Sequence, residues 1–366
     1  MGAESLKKQK NRMFLLPLIP VCLIGLFFVF RGNWLFSASV ISKIIPSKNL
    51  PQSDGRTNIL LTGVDKNERL TDSLMVVSIP QSPGKIVMVS LPRDLWVEYR
   101  TGASAKINEV YAYAGLETTG FNSEKGLTAL KNSVTQATGM PVHYFAKVDF
   151  NGFKEAVDAL GGIRITVQNT FDDYKYPVAG KEANTCGLTE DEILEGKDED
   201  YVISEADYPC RFERLHFDKG MVQMNGESAL KYARSRHSVN PAEGSDFARA
   251  ERQQQVILAI KEKIMSLDTL FNAKKISELF AIYNKFVETD ITLTDAEALF
   301  EVGMKSDTTN IKTSVLNNSN VTDGTGSGLL YTPTDIASYA GKWVLLPKGG
   351  SYSTVHAFIQ KLLFDE

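Results

Sequence analysis

Residues Met13 to Phe30 carry no charged side chain, and no other feature constrains this chain as strongly. Eighteen residues in helical form extend about 27 Å, close to the thickness of a bilayer core. Pro17 and Pro20 are tolerated in helices that cross membranes. Lys7, Lys8, Lys10 and Arg12 precede the run, and basic flanks of this kind stay on the cytoplasmic side. The expectation is a cytoplasmic tail over 1–12, a single-pass anchor over 13–31, and an extracytoplasmic remainder. A cleaved signal peptide is the alternative; its cleavage candidate, Ser37-Ala38-Ser39, is weak and lies late relative to the apolar run. Gly2 opens what resembles a myristoylation motif, but Leu6 stands where Ser or Thr is needed.

The rest of the chain has globular composition, with 43% hydrophobic and 23% charged residues. Its net charge of -4 argues against a duplex-binding protein, which usually shows a basic excess. No nucleic-acid partner is expected. Cys22 lies within the apolar run, whereas Cys186 and Cys210 lie in a polar stretch on the outer side. An oxidising exterior permits a bridge between those two, with free thiols as the alternative. Closing a loop of that size contributes on the order of 3 kcal/mol. The four histidines are scattered and show no zinc-site spacing.

A linker over 32–57 leads into three apolar runs, "NILLTGVD", "DSLMVVSI" and "KIVMVSLP", which read as buried strands. "HYFAKVDFNGFKEAVDALGGIRITV" reads as strand, helix and strand, with the helix stopped at Gly161-Gly162. Residues 170–220 form a long polar insertion. One helix starts near Gly226 and a long one runs from about Asp246 to Leu267. Three further helices lie beyond it. Strands and helices mixed in this way imply an α/β or α+β fold.

Two polar constellations stand out. In the long helix, Ala250, Ile257, Ile260, Ile264 and Leu267 share one face that should be buried. Arg249 and Gln253 fall on the same arc, and Arg252 at its edge. A charge on a buried arc needs either an internal carboxylate or a bound anion. Ser245 or Asp246 would cap this helix, whose N-terminus favours negative charge. Arg234 and Arg236 come just before; in an extended segment they point the same way, and a polyanion between them relieves their repulsion. The second constellation gathers at strand ends: Asp65, Asp72, Arg93, Asp94 and Lys106. Two carboxylates close to anion-binding arginines suit a hard cation, which commonly binds carboxylates together with phosphate oxygens. Ordinary turn chemistry explains Asp65 or Asp72 singly.

The segments "LLTGVD…LTDSLMVVSI", "VSLPRDLWV", "KINEVYAYAG", "DFNGFKEAVDALGGIRITV" and "ALKYARSRH…SDFARAERQQQVI" resemble, in order, those of the LytR-CpsA-Psr family. The resemblance covers roughly 58–265. It implies a central mixed β-sheet flanked by helices, with an apolar tunnel for a lipid tail, in a catalytic domain over 58–267. Residues 268–366 form a C-terminal extension packed on that domain or completing it. The implied activity is transfer of a glycopolymer from a polyprenyl-pyrophosphate carrier to a peptidoglycan hydroxyl at the outer face of the cell membrane. By the same resemblance, Asp65 and Asp72 match the acidic pair associated with Mg²⁺, with Mn²⁺ the alternative ion. Arg93, Lys106, Arg234, Arg236, Arg249, Arg252 and Gln253 match the basic and amide groups that would clamp the pyrophosphate. Two features depart from the family pattern: the short turn between Asp65 and Asp72, and a slightly long loop between Arg236 and Arg249.

On this reading Arg93, Arg234 and Arg236 spread charge in the transition state, and Asp94 or Asp246 serves as base. The strands and the helix over 152–160 would line the tail pocket. A non-catalytic polymer-binding regulator and a pyrophosphatase are the competing readings.

Overall fold

The structure is a computed structural model and describes residues 49–64, 69–195, 197–198, 201–270, 272–317 and 328–365. The expected anchor over 13–31 and the tail before it lie outside the described residues. Among the described residues, no helix is long and apolar enough to cross a membrane.

The three apolar runs form β1 (Arg56–Val64), β2 (Thr71–Pro80) and β3 (Lys85–Leu91). With β4 (Tyr144–Asp149), β5 (Val287–Thr289) and β6 (Asp307–Val315) they make one six-stranded sheet. Its order is β5-β4-β1-β2-β3-β6. The pairs β1–β2, β2–β3 and β4–β5 are antiparallel, whereas β1–β4 and β3–β6 are parallel. The sheet is therefore mixed, and both edge strands come from the part of the chain beyond residue 268.

The helices that position the site are α1 (Ile107–Gly115), α2 (Ser123–Thr138), α3 (Phe150–Ala159), α4 (Gly226–Arg234), α5 (Asp246–Ile264), α6 (Ala273–Phe286), α7 (Leu293–Lys305) and α8 (Ser353–Phe364). Alternation along the strands sends Leu60, Leu74, Val76, Val87 and Val89 to one face, against α1, α2 and α8. Ile59, Leu61, Val77 and Ile79 go to the other face, against α3, α5, α6 and α7. Because both faces are covered, the central strands read as unbroken apolar runs rather than as alternating ones.

A smaller core forms where the ribbon of Ile163–Val167 and Gly220–Met224 packs on α4 and α5. The turn into that ribbon depends on Gly162, whose φ is +84° and whose missing Cβ would lie 2.7 Å from the Met224 carbonyl oxygen. The polar insertion is a second ribbon, Phe171–Pro177 paired with Phe212–Phe217. Between its strands, Cys186 and Cys210 are bonded with an S–S distance of 2.08 Å.

The long helix ends earlier than its periodicity suggests. Met265 caps α5, and Leu267 opens a separate short helix with 71% of its surface exposed. The Lys263 carbonyl accepts from Ser266 Oγ and Thr269 Oγ1. These bonds satisfy the helix end and turn the chain away from the core.

Candidate functional site

Strands β1 and β3 end, and β2 begins, at one end of the sheet. A cavity of about 160 Å³ opens there, lined by Asp72, Arg93, Arg234, Arg236, Arg249 and Gln253, together with Phe150 and Tyr176. Arg93 follows β3 in a turn closed by the Leu95 amide on the Pro92 carbonyl, 3.2 Å. Its Nη1 donates to Asp72 Oδ1 at 2.8 Å. Its Nε lies 3.5 Å from Asp246 and 3.7 Å from Asp94. Burial alone would lower the Arg93 pKa; Asp246, Asp72 and Asp94 together outweigh it and raise the value.

Helix α5 delivers its first turn into this cavity. Ser245 is the N-cap and accepts from the Ala248 amide at 3.1 Å. That start aims Arg249 and Gln253 inward, as the helical phasing predicts. Arg249 is 7% exposed and lies 3.1 Å from Asp246 Oδ1. Burial lowers its pKa, Asp246 opposes this, and the charge on Arg93 adds to the lowering. A bound anion would relieve both penalties. Arg93 Nε is buried without a hydrogen-bond partner, and Asp246 Oδ1 has only its ion pair with Arg249, so the polar groups here are incompletely satisfied.

Arg234 is the last residue of α4, and Ser235 caps that helix. The two arginines therefore do not share an extended segment, yet both line the cavity. The Arg234 guanidinium lies over the Phe150 ring at 4.2 Å from its centroid, a stacking that holds the planar fork in place.

The sequence pattern of the LytR_cpsA_psr family matches residues 37–338. The chain belongs to this family. Among curated relatives, it is 28% identical over 315 residues to the polyisoprenyl-teichoic acid–peptidoglycan teichoic acid transferase TagU of Bacillus licheniformis, covering 81% of this chain and 83% of TagU. It is 27% identical over 280 residues to TagV of Bacillus subtilis, which bears the same transferase name (74% and 57% covered). It is also 28% identical over 258 residues to the regulatory protein MsrR of Staphylococcus aureus (69% and 61% covered). Two solved structures share the fold. Protein gbs0355 of Streptococcus agalactiae matches with a TM-score of 0.55 at 22% identity, covering 85% of this chain and 89% of that one. B. subtilis TagV matches at 0.53 and 23% identity, covering 85% and 98%.

Two residues that the LytR-CpsA-Psr resemblance assigns to the clamp stand elsewhere. Arg252 is 1% exposed and outside the cavity lining. It donates to the carbonyls of Tyr232 (3.0 Å), Glu243 (3.1 Å) and Ser235, and to Glu243 Oε2 at 2.6 Å. With four of its five N–H donors taken by protein acceptors, it braces the 232–243 segment. Lys106 Nζ donates to Asp94 Oδ1 at 2.7 Å and is likewise outside the lining. The reason is local register. Trp96 pairs with Lys106, and the Asn108 amide bonds the Arg93 carbonyl, which folds the "KIN" segment beneath the "PRD" turn. Burial raises the Asp94 pKa, against the pull of Lys106 and Arg93.

One further residue carries the geometry without having been singled out. Asp173 is 1% exposed. Its Oδ2 accepts from Ser235 Oγ (2.7 Å), the Arg236 amide (3.1 Å) and the His237 amide (3.2 Å). It therefore holds the backbone that carries Arg234 and Arg236. A signal was present, since strand alternation puts Asp173 on the same inward face as Phe171.

Asp65 lies outside the described residues. Among the described residues, no group of three or more His, Cys, Asp or Glu side chains could hold a metal. The carboxylates of Asp72 and Glu205 in the cavity lining are oxygen donors of the kind a hard cation takes, and the lining also includes the imidazole of His237.

Proposed function

We propose that this protein is a membrane-anchored, extracytoplasmic phosphotransferase. It moves a glycopolymer from a polyprenyl-pyrophosphate carrier to a sugar hydroxyl of peptidoglycan. The observation that carries this reading is the convergence of Arg93, Arg234, Arg236, Arg249 and Gln253 with Asp72 on one cavity. Four guanidiniums around so small a space suit a ligand with several negative charges.

The sheet supplies a place for an apolar tail. A second cavity of about 130 Å³ is lined by Ile59, Leu61, Val77, Ile79, Ile86, Met88, Ile257, Leu258 and Phe300, among others. Helix α5 runs from one cavity to the other. Arg249 and Gln253 face the first, and Ile257 and Leu258 the second. At about 1.5 Å per residue, Arg249 and Leu258 are roughly 14 Å apart along the axis. A charged head and an apolar tail can thus follow one helix. Helix α3 and its C-cap Leu160, which together hold the 152–160 segment, contribute no residue to this lining; their apolar face is used against α6 and the small core.

In the reaction, the acceptor hydroxyl oxygen forms a bond to the sugar-linked phosphorus. The bridging P–O bond breaks, and polyprenyl monophosphate leaves with the electron pair. Arg93, Arg234, Arg236 and Arg249 take up the charge that grows on the phosphoryl oxygens. Asp246 and Asp94 are the candidates for receiving the hydroxyl proton; Asp246 pairs with Arg249 and Arg93, and Asp94 with Lys106 and Arg93. Asp65 and Asp72 would hold Mg²⁺, which when bound adds positive charge to the pyrophosphate oxygens.

Arg93→Ala and Arg234→Ala test the assignment with a lipid-linked donor and a peptidoglycan acceptor. Removing one such donor lowers turnover by about 10²–10³-fold. Full activity in both variants refutes the proposal. The relative named as a regulatory protein favours a second reading, polymer binding without turnover. Release of polyprenyl phosphate only when donor and acceptor are both present excludes it, and it also excludes a pyrophosphatase.

A further inference from the structure

The end of the domain away from the arginine cavity carries an apolar opening. β1 runs from Arg56 towards the arginine cavity, so Arg56, the end of β2 at Pro80 and the start of β3 at Lys85 mark the opposite end. Helix α5 runs the other way, from Arg249 at the arginine cavity to Ile264. At about 1.5 Å per residue, its 19 residues span roughly 28 Å. Beyond it, Met265 lines the apolar cavity and is also 41% exposed, so that cavity reaches the surface here. Leu267 follows, exposed, at the start of the short helix Leu267–Leu270. Ile264 and Thr269, on either side, are buried. A single exposed leucine is ordinary. A pair at the lip of an apolar cavity is not, because apolar surface then continues from the inside of the protein to its outside.

The same end receives the chain from its N-terminal side. Leu50 is buried in the cluster that holds Ile59, Ile264 and Leu279. Thr57 Oγ1 donates to the Pro51 carbonyl at 2.8 Å, and Ser53 Oγ lies 3.1 Å from His143 Nε2. These contacts fix the segment before β1 against the core, and residues 32–48 join it to the expected anchor over 13–31. The charges around Leu267 suit anionic headgroups. Lys263 and Lys275 share one carboxylate, Asp268, at 3.2 and 2.7 Å, and Lys274 is exposed beside them. Lysines at such a boundary lay their stems on apolar surface and keep their ammoniums at lipid phosphates.

We propose that this end of the domain docks on the outer leaflet of the membrane, with Met265 and Leu267 seated at the boundary between headgroups and acyl chains. The apolar cavity then opens into the bilayer, and a carrier's tail enters it without crossing water. The arginine cavity stands above the membrane by about the length of α5, roughly 28 Å. The inference rests on the membrane-anchored transferase reading, and its first test requires no turnover.

That test uses the full-length chain with Cys22→Ser, in which Cys186 and Cys210 remain bonded to each other. One new cysteine is added, by Leu267→Cys at the proposed contact or by Val239→Cys as the control. Val239 is exposed, and its amide bonds the Asp172 carbonyl at the arginine-cavity end. Each variant is labelled with bimane and reconstituted into phosphatidylcholine–phosphatidylglycerol vesicles, with and without bromine on the acyl chains. Contact with brominated chains quenches the label. Emission from position 267 should fall by at least half, and emission from 239 should not change. No quenching at 267, which a second copy of the chain seated on the patch would also produce, overturns the proposal. Equal quenching at both positions does the same.

Leu267→Glu supplies the functional arm. It is expected to raise KM by about tenfold or more for a long-chain polyprenyl-pyrophosphate donor embedded in the vesicles, since a carboxylate then replaces the apolar contact with lipid. Affinity for farnesyl pyrophosphate, a soluble donor mimic, should stay as in wild type. The side chain is exposed, so the variant should fold, and an unchanged Tm verifies it. A wild-type KM for the embedded donor refutes the role in donor uptake. Failure of the transferase reading looks different: lipid quenches the label at 267, yet the wild type transfers from no donor.

Discussion

Asp173→Ala removes an acceptor from beneath the segment that carries two of the cavity arginines. Four donors lose their partner: Ser235 Oγ and the amides of Arg236 and His237 on Oδ2, and the Lys175 amide on Oδ1 at 2.9 Å. His237 is exposed, and its amide can turn to water. Ser235 is fully buried and Arg236 half-buried, so at least these two donors are stranded. At about 1–3 kcal/mol for each stranded donor, the loss is about 2–6 kcal/mol. For a domain of this size that lowers Tm by about 4–12 °C. Asp173→Asn keeps a carbonyl oxygen for the same donors and loses only the charge assistance, about 1–2 kcal/mol. Scanning fluorimetry gives the first readout, and farnesyl pyrophosphate titration well below Tm gives the second. The alanine variant should bind the pyrophosphate at least tenfold more weakly, with the asparagine variant restoring most of the affinity. A Tm within 1 °C of wild type refutes the stability estimate. A lowered Tm with unchanged pyrophosphate affinity refutes the positioning role and leaves Asp173 as a brace alone.

Gly63→Ala places a Cβ 2.5 Å from Ser73 Oγ, an overlap expected to destabilise by about 1–3 kcal/mol. Ser73→Ala removes the clashing oxygen, so the double variant should recover part of the loss; strict additivity in thermal unfolding refutes the clash. His143 Nδ1 accepts the Asn58 amide at 2.9 Å, and burial, reinforced by the charge on Lys131, lowers its pKa from about 6.5. A base with a depressed folded pKa contributes fully above its unfolded value and loses that contribution as pH falls through the folded value. Tm should therefore drop more steeply from pH 7 to 5 in wild type than in His143→Gln, and parallel profiles refute this. Chelation should stop transfer and Mg²⁺ should restore it, with Asp72→Asn needing a higher Mg²⁺ concentration; transfer indifferent to chelator removes Asp72 from the ligand set.

Much of this molecule is legible along the chain because the physics involved is local. Unbroken apolar runs with no polar alternation require cover on both faces, and the structure has helices on each side of β1, β2 and β3. The Gly161-Gly162 stop follows from backbone conformation alone. The 100° step of α5 gives Arg249 and Gln253 their inward direction, and Ser245 gives the helix its start.

Helical phase states where a side chain points but not how deep it goes or what it meets there. That gap explains why Arg252 reads as a ligand-binding residue and stands as a buried brace on Glu243. A basic residue near two aspartates has a choice that only register decides, and the Trp96–Lys106 pairing gives Lys106 to Asp94. Asp173 meets Ser235 from 62 residues away, with inward alternation as its sole local signal. β6 joins β3 in parallel across more than two hundred residues, and no turn signal links them. The sequence by itself determined the strands, the helix phases and the inventory of charged groups, since these depend on neighbours within a few residues. Tertiary structure alone decided which cations face the open cavity and which are neutralised inside the protein. That choice depends on which carboxylate or carbonyl reaches each one first in three dimensions.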